Sequence, residues 1–137
     1  FKGMELGDGG IIVMGDDGTL YATIQAPDEL RRGAGGGKVV AIDSRDGKVK
    51  WEFKVKNAAM SPGLVIDKNG RIYYVSTGGN LYVLDRNGML LKESLIIGKV
   101  KPGPGETRVY ALLAISGGVL YVAGMDKVLY AIGKPLR

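Results

Sequence analysis

The sequence contains neither cysteine nor histidine. Their absence removes disulfide staples, thiolate and imidazole metal sites, cysteine nucleophiles and any Ser-His-Asp triad, so chemistry would have to rest on carboxylates, lysine, tyrosine or a bound cofactor. Aromatic residues are sparse at 7%, with a single Trp and two Phe. No apolar run approaches the roughly 18 residues that a membrane-spanning helix needs. The opening Phe1-Lys2-Gly3 has no initiator Met and no apolar core of a secretory leader, and reads as a cut end. What the sequence has in excess is glycine. It makes up 23 of 137 residues, about one in six, against a usual share of about one in fourteen. The glycines follow no three-residue period, and 45% of the chain is hydrophobic. Collagen and an unfolded acidic tail are therefore excluded, and a chain of this length can bury the core of one domain. The net charge, 19 − 14 = +5, is mildly basic and by itself names no partner.

The glycines punctuate a repeat. Ile11 to Met14, Gly15 to Gly18 and Thr19 to Ile24 form a short apolar run, a turn and an aromatic or β-branched run. Leu64 to Ile66, Asp67 to Gly70 and Arg71 to Val75 repeat the pattern, as do Leu112 to Ile115, Ser116 to Gly118 and Val119 to Ala123. Each block reads as a β-hairpin, because its centre holds residues that accept positive φ or make Asx turns. A third strand follows each hairpin, at Lys38 to Asp43, Asn80 to Asp85 and Val128 to Gly133. A further turn then leads to a fourth strand at Lys48 to Lys56 and at Met89 to Ile97, and the third block stops short of one. Corresponding third-strand residues lie 85 − 43 = 42 and 132 − 84 = 48 positions apart. Four short antiparallel strands recurring every ~40–50 residues predict an all-β chain of β-propeller blades. The expected divisions are a blade over 4–56, a second over 57–98 and a partial blade over 109–137.

Within the first fourth strand, Val49, Trp51, Phe53 and Val55 alternate with Lys48, Lys50, Glu52, Lys54 and Lys56, which predicts one packed and one wet face. An outer strand rich in lysine resists pairing with other chains, and that reading is preferred to a phosphate-binding stripe. Two stretches interrupt the repeat, Ala26 to Gly37 and Lys99 to Arg108. Loops of this kind carry contacts, so their basic residues Arg31, Arg32, Lys99, Lys101 and Arg108 are candidate binding positions. Tyr21, Tyr73, Tyr82, Tyr121, Tyr130, Trp51 and Phe53 are read as blade packing.

The segment Ala41-Ile42-Asp43-Ser44-Arg45-Asp46-Gly47-Lys48-Val49-Lys50-Trp51 resembles the pyrroloquinoline-quinone-like (PQQ-like) propeller repeat, Ala-x-Asp-x-x-Thr-Gly-Lys-x-x-Trp, with Asp46 in place of Thr. Asp43 and Asp46 are expected to cap the turn between third and fourth strands, Gly47 to permit its positive φ, and Trp51 to fill space between blades. The second block keeps Asp85 and Gly88 in a turn one residue shorter, and has Lys92 where Trp would stand. The third has Gly133 for the Asp.

The resemblance implies either a non-catalytic scaffold or a quinone-dependent dehydrogenase, and a periplasmic or extracellular home. Dehydrogenases of this kind hold Ca²⁺ with carboxylate and amide groups, and many use adjacent cysteines, which this chain lacks. Asp16-Asp17, Asp67-Lys68-Asn69 and Asp85-Arg86-Asn87 sit in hairpin turns without the spacing of a Ca²⁺ loop. The reading adopted is therefore a non-catalytic protein-interaction module, with no cofactor. The alternative is a piece of a PQQ- and Ca²⁺-dependent dehydrogenase whose catalytic site lies outside this chain. Two blades and three strands cannot close a ring, so the expected partner is a protein, the remainder of its own propeller with this chain as the C-terminal part, or further copies of the chain. Nucleic acid is disfavoured as a partner.

Overall fold

The structure, a computed structural model, describes residues 11–25, 37–55, 63–76, 79–97, 112–124 and 127–133. Eleven strands run through them: β1 Ile12–Met14, β2 Thr19–Gln25, β3 Gly37–Asp43, β4 Val49–Val55, β5 Gly63–Ile66, β6 Ile72–Val75, β7 Asn80–Leu84, β8 Leu90–Leu95, β9 Leu112–Ser116, β10 Val119–Ala123 and β11 Leu129–Ile132. They form three antiparallel meanders, β1-β2-β3-β4, β5-β6-β7-β8 and β9-β10-β11. Registers repeat from sheet to sheet. Val13 faces Tyr21, Val65 faces Tyr73 and Ala114 faces Tyr121 across the first hairpins. Ala41, Val83 and Ala131 then face those tyrosines from the third strands.

The first strands β1, β5 and β9 contact one another in succession, so the sheets fan from a common side with β4 and β8 outermost. Between the first and second sheets lies a core of Tyr21, Val39, Ala41 and Val55 against Leu64, Ile72, Tyr74, Tyr82 and Leu84. Between the second and third, Val75, Leu81 and Val83 meet Leu120 and Val122, with Ile97 alongside. The second sheet is thus apolar on both faces, which is why Ile72-Tyr73-Tyr74-Val75 and Leu81-Tyr82-Val83-Leu84 show no polar alternation. Each fully buried aliphatic side chain in these cores contributes ~1.5–3 kcal/mol. Three twisted sheets stacked face to face around their first strands are consecutive blades of a β-propeller, an incomplete ring.

The fourth strands depart from simple alternation. In both complete sheets the pairing slips at the same place, between Ala41 and Ile42 against β4 and between Val83 and Leu84 against β8. Lys50 and Leu91 are the extra residues of these bulges. A bulge breaks the two-residue period, so Val49, expected on the packed face, is 40% exposed. Lys50, expected in the wet row, is exposed and donates from Nζ to the hydroxyl of buried Thr19 at 2.7 Å. Glu52 does lie on the outside and pairs with Lys38 at 2.7 Å. Lys56 and the insertions after Gln25 and before β9 lie outside the described residues, except that Gly37 already belongs to β3. The outer face of the third sheet leaves Leu112, Tyr121 and Leu129 at 76%, 37% and 67% exposure. Tyr121 is therefore open where its repeat equivalent Tyr21 is buried.

Candidate interaction site at the blade junctions

The turns joining first to second and third to fourth strands share one rim, and Asp17, Asp43, Asp46, Asp67 and Asp85 accept from the backbone of their own turns. Asp17 accepts from the Thr19 N–H at 3.0 Å and from the Thr19 hydroxyl at 3.0 Å. Asp67 accepts from the N–H groups of Asn69 and Arg71 at 2.8 and 2.9 Å, and from the Tyr73 hydroxyl at 3.1 Å. Asp85 does the same for Asn87 and Met89 at 2.8 and 2.9 Å. In the longer turn of the first sheet, Asp43 accepts from the Arg45 N–H and guanidinium, and Asp46 from the Lys48 N–H at 3.0 Å. These bonds satisfy donors that a tight turn would otherwise leave to water. The Arg45 guanidinium and then its backbone N–H hold the Asp43 carboxyl far below the usual carboxylate range. The Thr19 N–H chiefly lowers that of Asp17.

Two of the motif residues meet across the first junction. Trp51 leaves β4, leans against Tyr21 with ring centroids 5.8 Å apart, and lies on Gly88 in the turn between β7 and β8. A β-carbon at Gly88 would stand 2.6 Å from the indole, and the residue has φ +81°, so both space and conformation demand glycine there. The indole N–H donates to the Arg86 carbonyl at 2.7 Å. Arg86 in turn covers Gly70 with its side chain, donates to the Asn69 carbonyl at 3.3 Å and reaches Asp16 at 3.4 Å. One arginine therefore ties turns of two sheets together, while its own carbonyl receives the tryptophan.

Among the described residues the second junction has no such plug. Lys92 occupies the Trp51 position, and a cleft of about 390 Å³ opens there, walled by Leu81, Val83, Leu120 and Ile132. It continues along the rim into a second limb of about 510 Å³ bordered by Ile66, Asp67, Lys68, Asn69, Ile115 and Ser116. Tyr73 and Arg71 stand where the two limbs meet.

Of the residues singled out in the sequence, the structure brings Trp51 together with Gly88. Asp85 fixes the turn that holds Gly88, whereas Asp43, Asp46 and Gly47 form the turn between β3 and β4. Gly47 has φ +73° and donates its N–H to the Asp43 carbonyl at 2.8 Å. Arg31, Arg32, Lys99, Lys101 and Arg108 lie outside the described residues. Sequence reasoning passed over Arg86 because it stands in a turn read as structural. The replacement of Trp by Lys92 in the second repeat was the visible signal of an open junction. For the Ca²⁺ and quinone of a dehydrogenase, no group of three or more acidic residues gathers among the described residues. The turn carboxylates of Asp17, Asp67 and Asp85 accept from N–H groups of their own turns. Among the described residues no helix is long and apolar enough to cross a membrane.

No curated protein matches the chain. Among solved structures, it is similar to the crystal structure of BamB from Moraxella catarrhalis, with a TM-score of 0.52 and 17% identity. That match covers 88% of this chain and 41% of the other, so the chain spans well under half of that protein's length. At this identity the likeness concerns the fold, and it agrees with the repeat of four-stranded sheets. A family model described as outer membrane protein assembly factor BamB matches residues 3–95, which include both complete blades and the Trp51 turn motif. The chain belongs to the BamB-like family of PQQ-like β-propellers.

Proposed function

We propose that this chain supplies two complete blades and part of a third to a non-catalytic propeller that docks other proteins outside the cytoplasm, in the service of outer-membrane protein assembly. The family description supports that setting. The observation that carries the docking role is a contrast between outer strands. In β4 the exposed positions include Glu52 and Lys54, and Glu52 is paired with Lys38. In β8 the exposed positions are Leu90, Leu91 and Leu95, at 41%, 52% and 58%, together with Lys92 and Glu93. An outer strand normally carries charge to discourage pairing, so a leucine-rich one is a contact surface. The open face of the third sheet is taken by a further blade of the same ring, because its Ala114-Tyr121-Ala131 row repeats the Val13-Tyr21-Ala41 row that the second sheet covers.

The test is a photo-crosslinking residue at Leu95 and, as a control, at Lys54 of the polypeptide produced in cells. Adducts with a component of the outer-membrane assembly apparatus at Leu95 and not at Lys54 are expected. Equal labelling at both positions, or none at either, overturns the docking role. Dye reduction by the full polypeptide after addition of quinone, Ca²⁺ and an alcohol or sugar overturns the non-catalytic one.

A further inference from the structure

The cleft at the second junction is the Trp51 site of the first junction without its tryptophan. Trp51 packs on a cluster that includes Tyr21, Val39, Ala41 and Ile72. Strand registers place Tyr73, Leu81, Val83 and Leu120 at the equivalent positions, and all four wall the cleft. Gly118 stands in the place of Gly70 on the opposing hairpin, again without a side chain to fill the space. Among the described residues, equivalent strand positions thus flank both junctions, and Lys92 stands at the second where the Trp51 ring stands at the first.

The rim of the second junction is positively charged. Lys92 enters from β8, Lys68 from the turn after β5, and Arg71 stands between them. Neither lysine has an ion-pair or hydrogen-bond partner among the described residues. Arg71 stands 4.0 Å from the Asp67 carboxylate, which also serves its own turn. Three cations against one engaged carboxylate leave an excess of positive charge around an apolar slot.

We infer that this cleft takes an aromatic side chain from an extended segment of a partner protein, with acidic residues flanking the aromatic one. The ring occupies the slot between Tyr73 and Leu120, and the flanking carboxylates reach Lys92 on one side and Lys68 on the other. This deepens the docking role proposed above and rests on it. An aromatic anchor in a preformed apolar pocket supplies most of the affinity of such contacts, while the charged rim selects the partner.

The experiment titrates the 137-residue chain into fluorescein-labelled Gly-Glu-Trp-Asp-Gly and follows anisotropy, with Gly-Glu-Ala-Asp-Gly and Gly-Lys-Trp-Lys-Gly as comparison probes. Saturable binding of the first probe is expected, with each comparison probe weaker by roughly tenfold or more. Lys92→Trp fills the slot from within, as Trp51 does, and abolishes binding. Lys68→Glu is an exposed change away from the packed walls; it weakens binding while leaving the melting curve in place, and so tests the site whether or not Lys92→Trp folds. Equal affinity for the Trp and Ala probes, undiminished binding by Lys68→Glu, binding retained by folded Lys92→Trp, or no binding of the first probe overturns the inference. Crosslinks at Leu95 without peptide binding remove the cleft and keep the docking role. Peptide binding without crosslinks does the reverse.

Discussion

The two blade junctions are made from the same strand registers, and where the first carries Trp51 the second carries Lys92. At the first, Trp51 seals the rim, donates to the Arg86 carbonyl and rests on Gly88. At the second, Lys92 leaves the equivalent space open. A repeat protein distributes its stability over units and the interfaces between them, so a closed junction adds rigidity and an open one leaves surface for recognition. The difference teaches that in this chain a break in the repeat motif, more than the motif itself, marks where binding is to be sought.

The largest expected effect comes from removing the plug. Trp51→Ala deletes a large, partly buried ring and orphans the contact with Gly88; it costs about 3 kcal/mol, at the lower end of what such truncations cost in cores. Lys92→Ala, the matching change at the open junction, stays within about 0.5 kcal/mol. Urea unfolding of the two variants measures the contrast, and similar losses would break it. Gly88→Ala comes next, at about 2 kcal/mol, because a left-handed backbone costs a non-glycine residue ~1–2 kcal/mol and the new methyl also displaces the indole. Trp51 is the sole tryptophan, so intrinsic fluorescence reports on this junction alone. A red shift accompanying the loss of stability is expected, and an unchanged spectrum would mean that the ring does not rest on residue 88.

Arg86 ranks below both. Its ion pair with Asp16 is exposed on both sides, at 43% and 75%, and such pairs contribute ~0–1 kcal/mol. Its side chain also covers Gly70, so Arg86→Ala is expected to lose about 1 kcal/mol, mostly through packing. A double-mutant cycle with Asp16→Asn separates the two contributions. Coupling below about 0.5 kcal/mol that fades with salt is expected, whereas a large, salt-independent coupling would make the charge pair the principal tie.

Most of the blade grammar was legible because it is local. Hairpin turns declare themselves through Asp67 to Gly70 or Ser116 to Gly118, and strand faces through alternation. The bulges were not legible, since the slip opposite Ala41 and Ile42 recurs opposite Val83 and Leu84 after a turn of different length, and a strict two-residue period then puts Val49 on the wrong face. Arg86 was not legible either. Its partners Asp16 and Asn69 come from separate turns and Trp51 from β4, 70, 17 and 35 residues away along the chain, and all meet only when one sheet packs on the next. The open cleft stood between these cases: Lys92 was visible as a departure from the repeat, but its consequence needed Tyr73, Leu81 and Leu120 to be seen around it.

The smallest expected effect concerns the turn beside the closed junction. Asp43 is held below the usual carboxylate range chiefly by Arg45, and Asp17 is lowered chiefly by the Thr19 N–H. A carboxyl whose folded pKa lies below its unfolded value of about 3.9 stabilises the fold fully above that value and loses the contribution as pH falls through it toward the folded pKa. Asp43→Asn keeps an oxygen for the Arg45 N–H and removes the charge. The melting temperature of the unaltered chain should therefore fall more steeply than that of Asp43→Asn between about pH 5 and pH 2, and the two should converge at the acid end. Arg45 is 86% exposed on its side chain, so added salt should narrow the gap at neutral pH. Parallel melting curves across this range would mean that the Asp43–Arg45 pair shapes the turn without stabilising it, and would leave Asp17 to carry the acid dependence on this rim.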